Sequence, residues 1–488
     1  MKNDKQLWRK RLRKQYEGGE NNMKLSVKNF GPIAKAENIE IRPLTVFVGP
    51  SNTGKSYLAI LIYALLKSLQ LESRIHSFFP ILRTQKLPSI PKTTEILHLM
   101  DKMFEEDAEE IEFSEFPEEF QKWANKEVAN VINDNFHEEA ARCMGESSEE
   151  NRVITKEFSL HFEDDNKSLS LSSKDGPYSA NLKDLAIDSL RYRIKFSRFA
   201  KHLSTKVRQG KTRQEEELAR FFYSRLLDSV FSMDMSKSFY LPAARTGIMQ
   251  SHRAIAGALV QRATYAGMET VSVPTLSGIV SDFLEQIILM NPQKVGDSRI
   301  EKVAGKMEKE ILRGSIKSEL SGANQYPRFL YQQNGLEVPL LRSSSMVSEL
   351  APIVLFIRHK VEKGDLLIIE EPEAHLHPEA QRKIARVVAR LVRVGVRVMV
   401  TTHSDYFLDQ LANCVRLSKL SGVRRRTPFL EETEIGAYAF SQRKGRTIVK
   451  RLDFDKENGL APEDHDKISS ELYNETVDIL EKLDQIEH

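Results

Sequence analysis

One stretch constrains this chain more than any other: VFVGPSNTGKSYLAILIYALL, Val46 to Leu66. An apolar strand, a glycine-bracketed loop and an apolar helix follow one another. Gly49-Pro50-Ser51-Asn52-Thr53-Gly54-Lys55-Ser56 fits G-x-x-x-x-G-K-[ST] without a mismatch. Backbone N–H groups of such a loop surround phosphate oxygens, and the helix N-terminus adds a favourable dipole. Gly49 and Gly54 allow the turn and the close approach. Lys55 reaches the β- and γ-phosphates of a nucleoside triphosphate, and Ser56 ligates Mg²⁺. An ordinary strand–turn–helix is the alternative. The complete motif in its strand-to-helix context argues against it.

Two strands are expected upstream, Leu25–Asn29 and Ala36–Ile41, flanking a Gly31-Pro32 turn, and Leu44–Val48 enters the loop. The 488 residues correspond to about three domain-sized units. A net charge of +3 names no partner. Two cysteines, Cys143 and Cys414, without a C-x-x-C pair fit a reducing, cytoplasmic setting and argue against a disulfide framework or a zinc site. The longest apolar run, Tyr57–Leu66, is far short of the roughly 20 residues that span a bilayer. The first 22 residues are rich in Lys and Arg. Two readings stay open for them. They form a disordered basic arm that touches nucleic acid, or the native chain starts at Met23, because Glu17-Gly18-Gly19 can be encoded by a tract resembling a bacterial ribosome-binding site.

A second half-site lies far downstream in GDLLIIEEPEAHLHPEAQ. Leu366–Ile369 reads as a buried parallel strand ending in Glu370 and Glu371. Adjacent strand residues point to opposite faces, so one carboxylate can hold Mg²⁺ through water while the other polarises the attacking water. Pro378 opens an amphipathic helix that Gly395 ends. Val396–Val400 is the next buried strand, and it runs into His403, placed to hydrogen-bond a γ-phosphate.

Together GPSNTGKS, LLIIEEPEAHLHPE and VMVTTHSDYFL resemble the ABC-type ATPase heads of the RecF, SMC and OLD group, in particular bacterial AAA-family ATPases. The resemblance covers Met23–Leu69, Lys237–Arg262 and Leu330–Leu420. It implies an α/β P-loop NTPase with a large, mostly helical insertion between the phosphate loop and the signature motif. ATP and Mg²⁺ are the implied cofactors. Glu371 matches the catalytic base, His403 the switch histidine, and Glu370 stands where the family has a metal-binding Asp. His377 stands where transporter-type heads carry Asp. The signature would be LRSSSMVSELAPIVLFIRH, Leu341–His359, with Ser343, Ser344 and Ser345 facing the phosphates of a second subunit, and with Ser345 in place of the usual glycine. The alternative for these serines is an N-cap for a helix beginning near Val347, supported by Glu349. The phosphate-facing reading implies a head-to-tail homodimer around two ATP molecules. Ser238–Gly247 resembles another head segment, a strand emptying into a turn where Arg245 approaches phosphate or a partner.

The organisation expected is a basic extension (1–22), a first head part (23–72), an insertion (73–236), a head strand (237–262), a helical segment (263–329), a second head part (330–450) and an acidic C-terminal helix (451–488). Within the insertion, Phe158–Leu171 reads as a hairpin turning at Asp-Asp-Asn-Lys. Leu190–Arg213 holds nine Lys or Arg and no acid, interleaved with aromatics. Its Arg191–Arg213 part either contacts DNA or RNA or pairs with the acidic Phe104–Glu127 stretch. Ala437–Ser441 and Thr447–Asp453 read as a hairpin, followed by the D-x-D of Asp453 and Asp455. The leading functional expectation is a nucleotide-gated dimeric ATPase working with a separate effector, a nuclease or toxin, in phage defence or DNA maintenance. The alternatives are an OLD-like nuclease using Asp453 and Asp455, and a non-catalytic ATP-gated scaffold.

Overall fold

The structure is a computed structural model. It describes residues 23–69, 91–105, 110–145, 158–164, 167–173, 186–190, 193–195, 237–263, 276–293, 296–321, 326–420, 428–457, 459–460, 470–471 and 473–480. The basic extension 1–22 lies outside them, as does most of 191–213.

The strands are β1 (Met23–Phe30), β2 (Ile33–Ile41), β3 (Leu44–Val48), β4 (Glu110–Glu112), β5 (Phe158–Asp164), β6 (Lys167–Ser173), β7 (Ala186–Leu190), β8 (Arg193–Lys195), β9 (Ser238–Leu241), β10 (Ser315–Ser321), β11 (Tyr326–Gln333), β12 (Leu336–Pro339), β13 (Leu366–Glu370), β14 (Arg397–Thr402), β15 (Ile435–Arg443) and β16 (Arg446–Leu452). Eleven of them form one sheet in the order β7-β6-β5-β1-β2-β16-β15-β3-β14-β13-β9. From β9 to β15 every pairing is parallel. The β15–β16 hairpin then reverses direction, and β1, β2 and β5–β7 complete the sheet mostly antiparallel.

Parallel strands are covered on both faces, and the sequence shows it. On β13, Leu366 and Ile368 pack into one core with Phe47, Met399 and Tyr240. Leu367 and Ile369 pack into the other with Val46, Val48, Val398 and Val400. The first core is closed by α1 (Lys55–Leu69) and α3 (Glu118–Met144); α2 (Thr93–Glu105) precedes α3. The second is closed by α5 (Gly278–Ile288), α6 (Ser298–Met307), α7 (Ser345–His359), α8 (Pro378–Arg393) and α9 (Asp405–Ser418). Between them in sequence runs α4 (Arg245–Ala263).

Two expectations change. Among its described residues the insertion is helical at 93–105 and 118–144 and carries the expected hairpin as β5–β6; β4, β7 and β8 are strands beyond that expectation, and β5, β6 and β7 extend the main sheet. Within 263–329 the described residues are helical at Gly278–Ile288 and Ser298–Met307, and α6 runs on into a π-helical turn, Glu308–Leu312. At Ser315–Ser321 a strand replaces the expected helix, pairing antiparallel with β11. Within the acidic Phe104–Glu127 stretch, Phe113, Phe116 and Phe120 are buried in the first core. Arginine 142 fastens the end of α3 to Asp282 on α5 through two hydrogen bonds, and Tyr63 of α1 donates to the same carboxylate.

Candidate functional site

The phosphate loop sits between β3 and α1. Gly49 has φ +149° and Gly54 has φ +87°. A Cβ on Gly49 would lie 2.5 Å from the Phe440 carbonyl, and one on Gly54 would lie 2.7 Å from Pro32 Cγ. Both glycines are therefore required by space as well as by backbone angle. Thr53 Oγ1 donates to the Pro50 carbonyl at 2.8 Å and shapes the loop from inside. Lys55 is buried, and its Nζ donates to the carbonyls of Gly49 and Pro50, both at 2.7 Å. Burial lowers its pKa, and the carboxylates of Glu371 and Glu373 oppose that shift. The phosphate loop and the acidic turn, more than 300 residues apart in sequence, thus lie within electrostatic reach of each other.

The topology explains how. β14 separates β3 from β13, so the loop and the acids are two strand spacings apart, about 10 Å. Glu370 is the last residue of β13 and shares the face of Leu366 and Ile368, which is the α1 side. Its Oε1 accepts from the Tyr240 hydroxyl at 2.6 Å and its Oε2 from the Ala243 N–H at 2.8 Å. Burial, with Glu370 next in importance, pushes the Tyr240 phenol well above its ordinary range, which keeps it a donor. Each Glu370 oxygen retains a lone pair for a metal-bound water.

At Glu371 the strand ends in a left-handed turn, φ +42°, held by its N–H donating to the Thr401 carbonyl at 3.0 Å. Its Oε1 lies 3.5 Å from His403 Nδ1, and both side chains are partly exposed. The expected acid and histidine therefore meet. Glu373, not among the expected site residues, is buried and holds the histidine end of the pair. Its Oε1 accepts from Thr402 Oγ1 at 2.5 Å and from the His403 N–H at 3.1 Å. Its Oε2 is buried without a hydrogen-bond partner. Burial raises its pKa. No periodicity signals it, because it lies past the strand end, beyond the left-handed turn at Glu371.

Helix α7 starts at Ser345, two residues before the expected Val347. Ser344 is its N-cap and accepts from the Val347 N–H at 3.4 Å. Ser343 turns inward and donates to the Leu340 carbonyl at 2.7 Å. Ser344 and Ser345 are exposed at the helix start. Glu349 does not support this cap. It is buried and faces Arg245, at 3.2 Å from Nη2. Arg245 is itself fully buried, so it approaches no phosphate; its donors go to backbone carbonyls around the acidic turn. His377 caps α8, with Nδ1 accepting from the Glu379 N–H at 3.3 Å. Ser404 caps α9, accepting from the Phe407 N–H at 3.2 Å.

Among the described residues no group of three or more His, Cys, Asp or Glu is placed to hold a metal. Ser56 and Glu370 are the groups that could hold a Mg²⁺ whose other positions are taken by phosphate oxygens and water. At the D-x-D, Asp453 is exposed beside Arg451, and Asp455 pairs with Gly459. In the basic segment, β8 pairs antiparallel with β4, and the register sets Arg193 opposite Glu112 and Lys195 opposite Glu110. The remainder of Arg191–Arg213 lies outside the described residues.

Fold and site together define a P-loop NTPase of the ABC type. The chain belongs to the AAA ATPase domain family, whose profile matches residues 23–408. No curated protein matches the chain. Solved structures that it resembles include heads of SMC proteins. One is an SMC head bound to the C-winged helix domain of ScpA, 11% identical, TM-score 0.37, covering 89% of this chain and 98% of that one. Another is the Pyrococcus furiosus SMC head with an extended coiled coil bound to the C-terminal domain of ScpA, 11% identical, TM-score 0.36, covering 94% and 98%. A third is the Thermotoga maritima SMC head, 10% identical, TM-score 0.33, covering 89% and 100%. No helix of the described residues is long and apolar enough to cross a membrane.

Proposed function

We propose that this ATPase binds and hydrolyses ATP with Mg²⁺ and works as a nucleotide-gated dimer. The observation that carries the reading is the convergence of Lys55, Glu371 and His403 at the ends of neighbouring parallel strands. Lys55 exchanges its bonds to the Gly49 and Pro50 carbonyls for phosphate oxygens. Mg²⁺, when bound, neutralises charge on the β- and γ-phosphates. Glu371 orients the attacking water and takes its proton as the new Pγ–O bond forms. The Pγ–O bond to the β-phosphate breaks, and ADP leaves. His403, set by Glu373, holds the γ-phosphate side of the site. Ser344 and Ser345 cap the nucleotide of a second copy, so that two copies close over two ATP molecules.

In this reading hydrolysis opens the dimer and passes the motion to a separate effector. The resemblance supports phage defence or DNA maintenance as its setting, and the cytoplasm as its place. The test is light scattering of Glu371→Gln with and without ATP and Mg²⁺. Doubling of the mass with ATP, reversed by adding Ser345→Arg, is the expected result. An unchanged mass at saturating ATP rules the dimer out.

A further inference from the structure

Arg245 is the largest fully buried side chain of the described residues, and a lone guanidinium is costly to bury. Its contacts say what it does there. Nη1 donates to the Glu370 carbonyl at 2.6 Å and Nη2 to the Glu371 carbonyl at 3.0 Å. Nε donates to the Glu349 carbonyl at 3.1 Å, and Nη2 lies 3.2 Å from the Glu349 carboxylate. One planar fork therefore holds both backbone carbonyls of the acid pair and the second turn of α7. Glu349 also reaches the loop beyond the acids, with Oε1 3.9 Å from His375 Nε2.

The two ends joined in this way belong to different sites of the proposed dimer. The α7 start caps a nucleotide held by the other copy. Glu371 acts on the nucleotide held by its own copy. Helix α7 is buried continuously from Val347 to Ile357, so its first turn moves with the rest of it. The Glu371 backbone sits in a sparsely populated conformation that its surroundings must enforce.

We propose that Arg245 and Glu349 are positioning residues that couple the two ATP sites: capping of a neighbour's nucleotide at α7 sets the Glu371 turn of the capping copy for hydrolysis. This rests on the dimeric reading above. It gives the pair a role that packing alone would not, namely cooperativity between the sites.

The test is the ATP dependence of steady-state phosphate release by the full chain. Wild type is expected to give a Hill coefficient approaching about 2, the number of coupled sites. Glu349→Gln keeps length and shape but removes the charge that holds Arg245. It is expected to give a coefficient of about 1, with half-saturation changed less than about threefold. Should it fail to fold, Arg245→Met with Glu349→Met removes both charges together and leaves none unpaired. A purely structural pair would change thermal stability and leave the coefficient untouched. Wild-type cooperativity retained in a folded variant overturns the proposal, and so does a wild type without cooperativity. If Glu371→Gln dimerises with ATP in either case, the coupling alone has failed. If it does not, the dimeric reading has failed with it.

Discussion

Glu371 and Glu370 are neighbours in sequence with different surroundings, and the left-handed turn at Glu371 makes the difference. Glu370 is buried and tied to Tyr240 and Ala243, while Glu371 reaches towards His403. Glu371→Gln should bind ATP and lose at least about a hundredfold in turnover, as loss of a general base does. Lys55→Ala should lose ATP binding itself, read by equilibrium dialysis. Glu373 gives a pH test. Burial raises its pKa above the ordinary 4.5, so it stabilises the fold while protonated, and that stability is lost as pH rises through its folded-state value. Glu373→Gln cannot ionise and accepts the same two hydrogen bonds. Its stability relative to wild type in urea should therefore rise as pH climbs above 4.5. Parallel curves for the two proteins would contradict the buried carboxyl. Period-two alternation made the split between Glu370 and Glu371 legible. Glu373 was not, because side-chain direction beyond a strand end depends on a turn that no periodicity encodes.

At the level of elements, the phosphate loop was the most readable part, since its motif and its strand-to-helix setting coincide. Its packing was not. Gly49 lies against the Phe440 carbonyl of β15, almost 400 residues further on, so the last hairpin forms one wall of the loop. Gly49→Ala should cost about 1–3 kcal/mol of stability and weaken ATP binding as well, measured by thermal unfolding with and without nucleotide. That hairpin itself was legible, because Lys444-Gly445, both with positive φ, form the two-residue turn that joins β15 to β16. Ser344→Ala removes the N-cap of α7 and should cost about 1 kcal/mol. A larger loss of ATP-dependent dimer than of stability would mark Ser344 as a phosphate contact. Strand β10 was misread as helix because the two periodicities are hard to separate in a short segment. In the folded chain Ile316 is buried between half-buried or exposed Ser315 and Lys317, which is strand alternation.

For the whole molecule, the sequence named the strands of the site but not their order. In the sheet β14 stands between β3 and β13, and β9 closes the parallel edge beyond β13. The β3–β14 pairing joins residues more than 350 positions apart, Leu44 to Val398, and apolar patterning does not specify partners at that distance. The same holds for β5, which pairs with β1 and so draws part of the insertion into the head. This order is what brings Lys55 and Glu371 together, and the claim that they serve one reaction is open to direct measurement. Purified wild type and Glu371→Gln would be titrated with ATP and Mg²⁺, following bound nucleotide and released phosphate in the same samples. Equal binding with phosphate released only by wild type is the expected result. No nucleotide bound by either protein, or equal phosphate release from both, would contradict it.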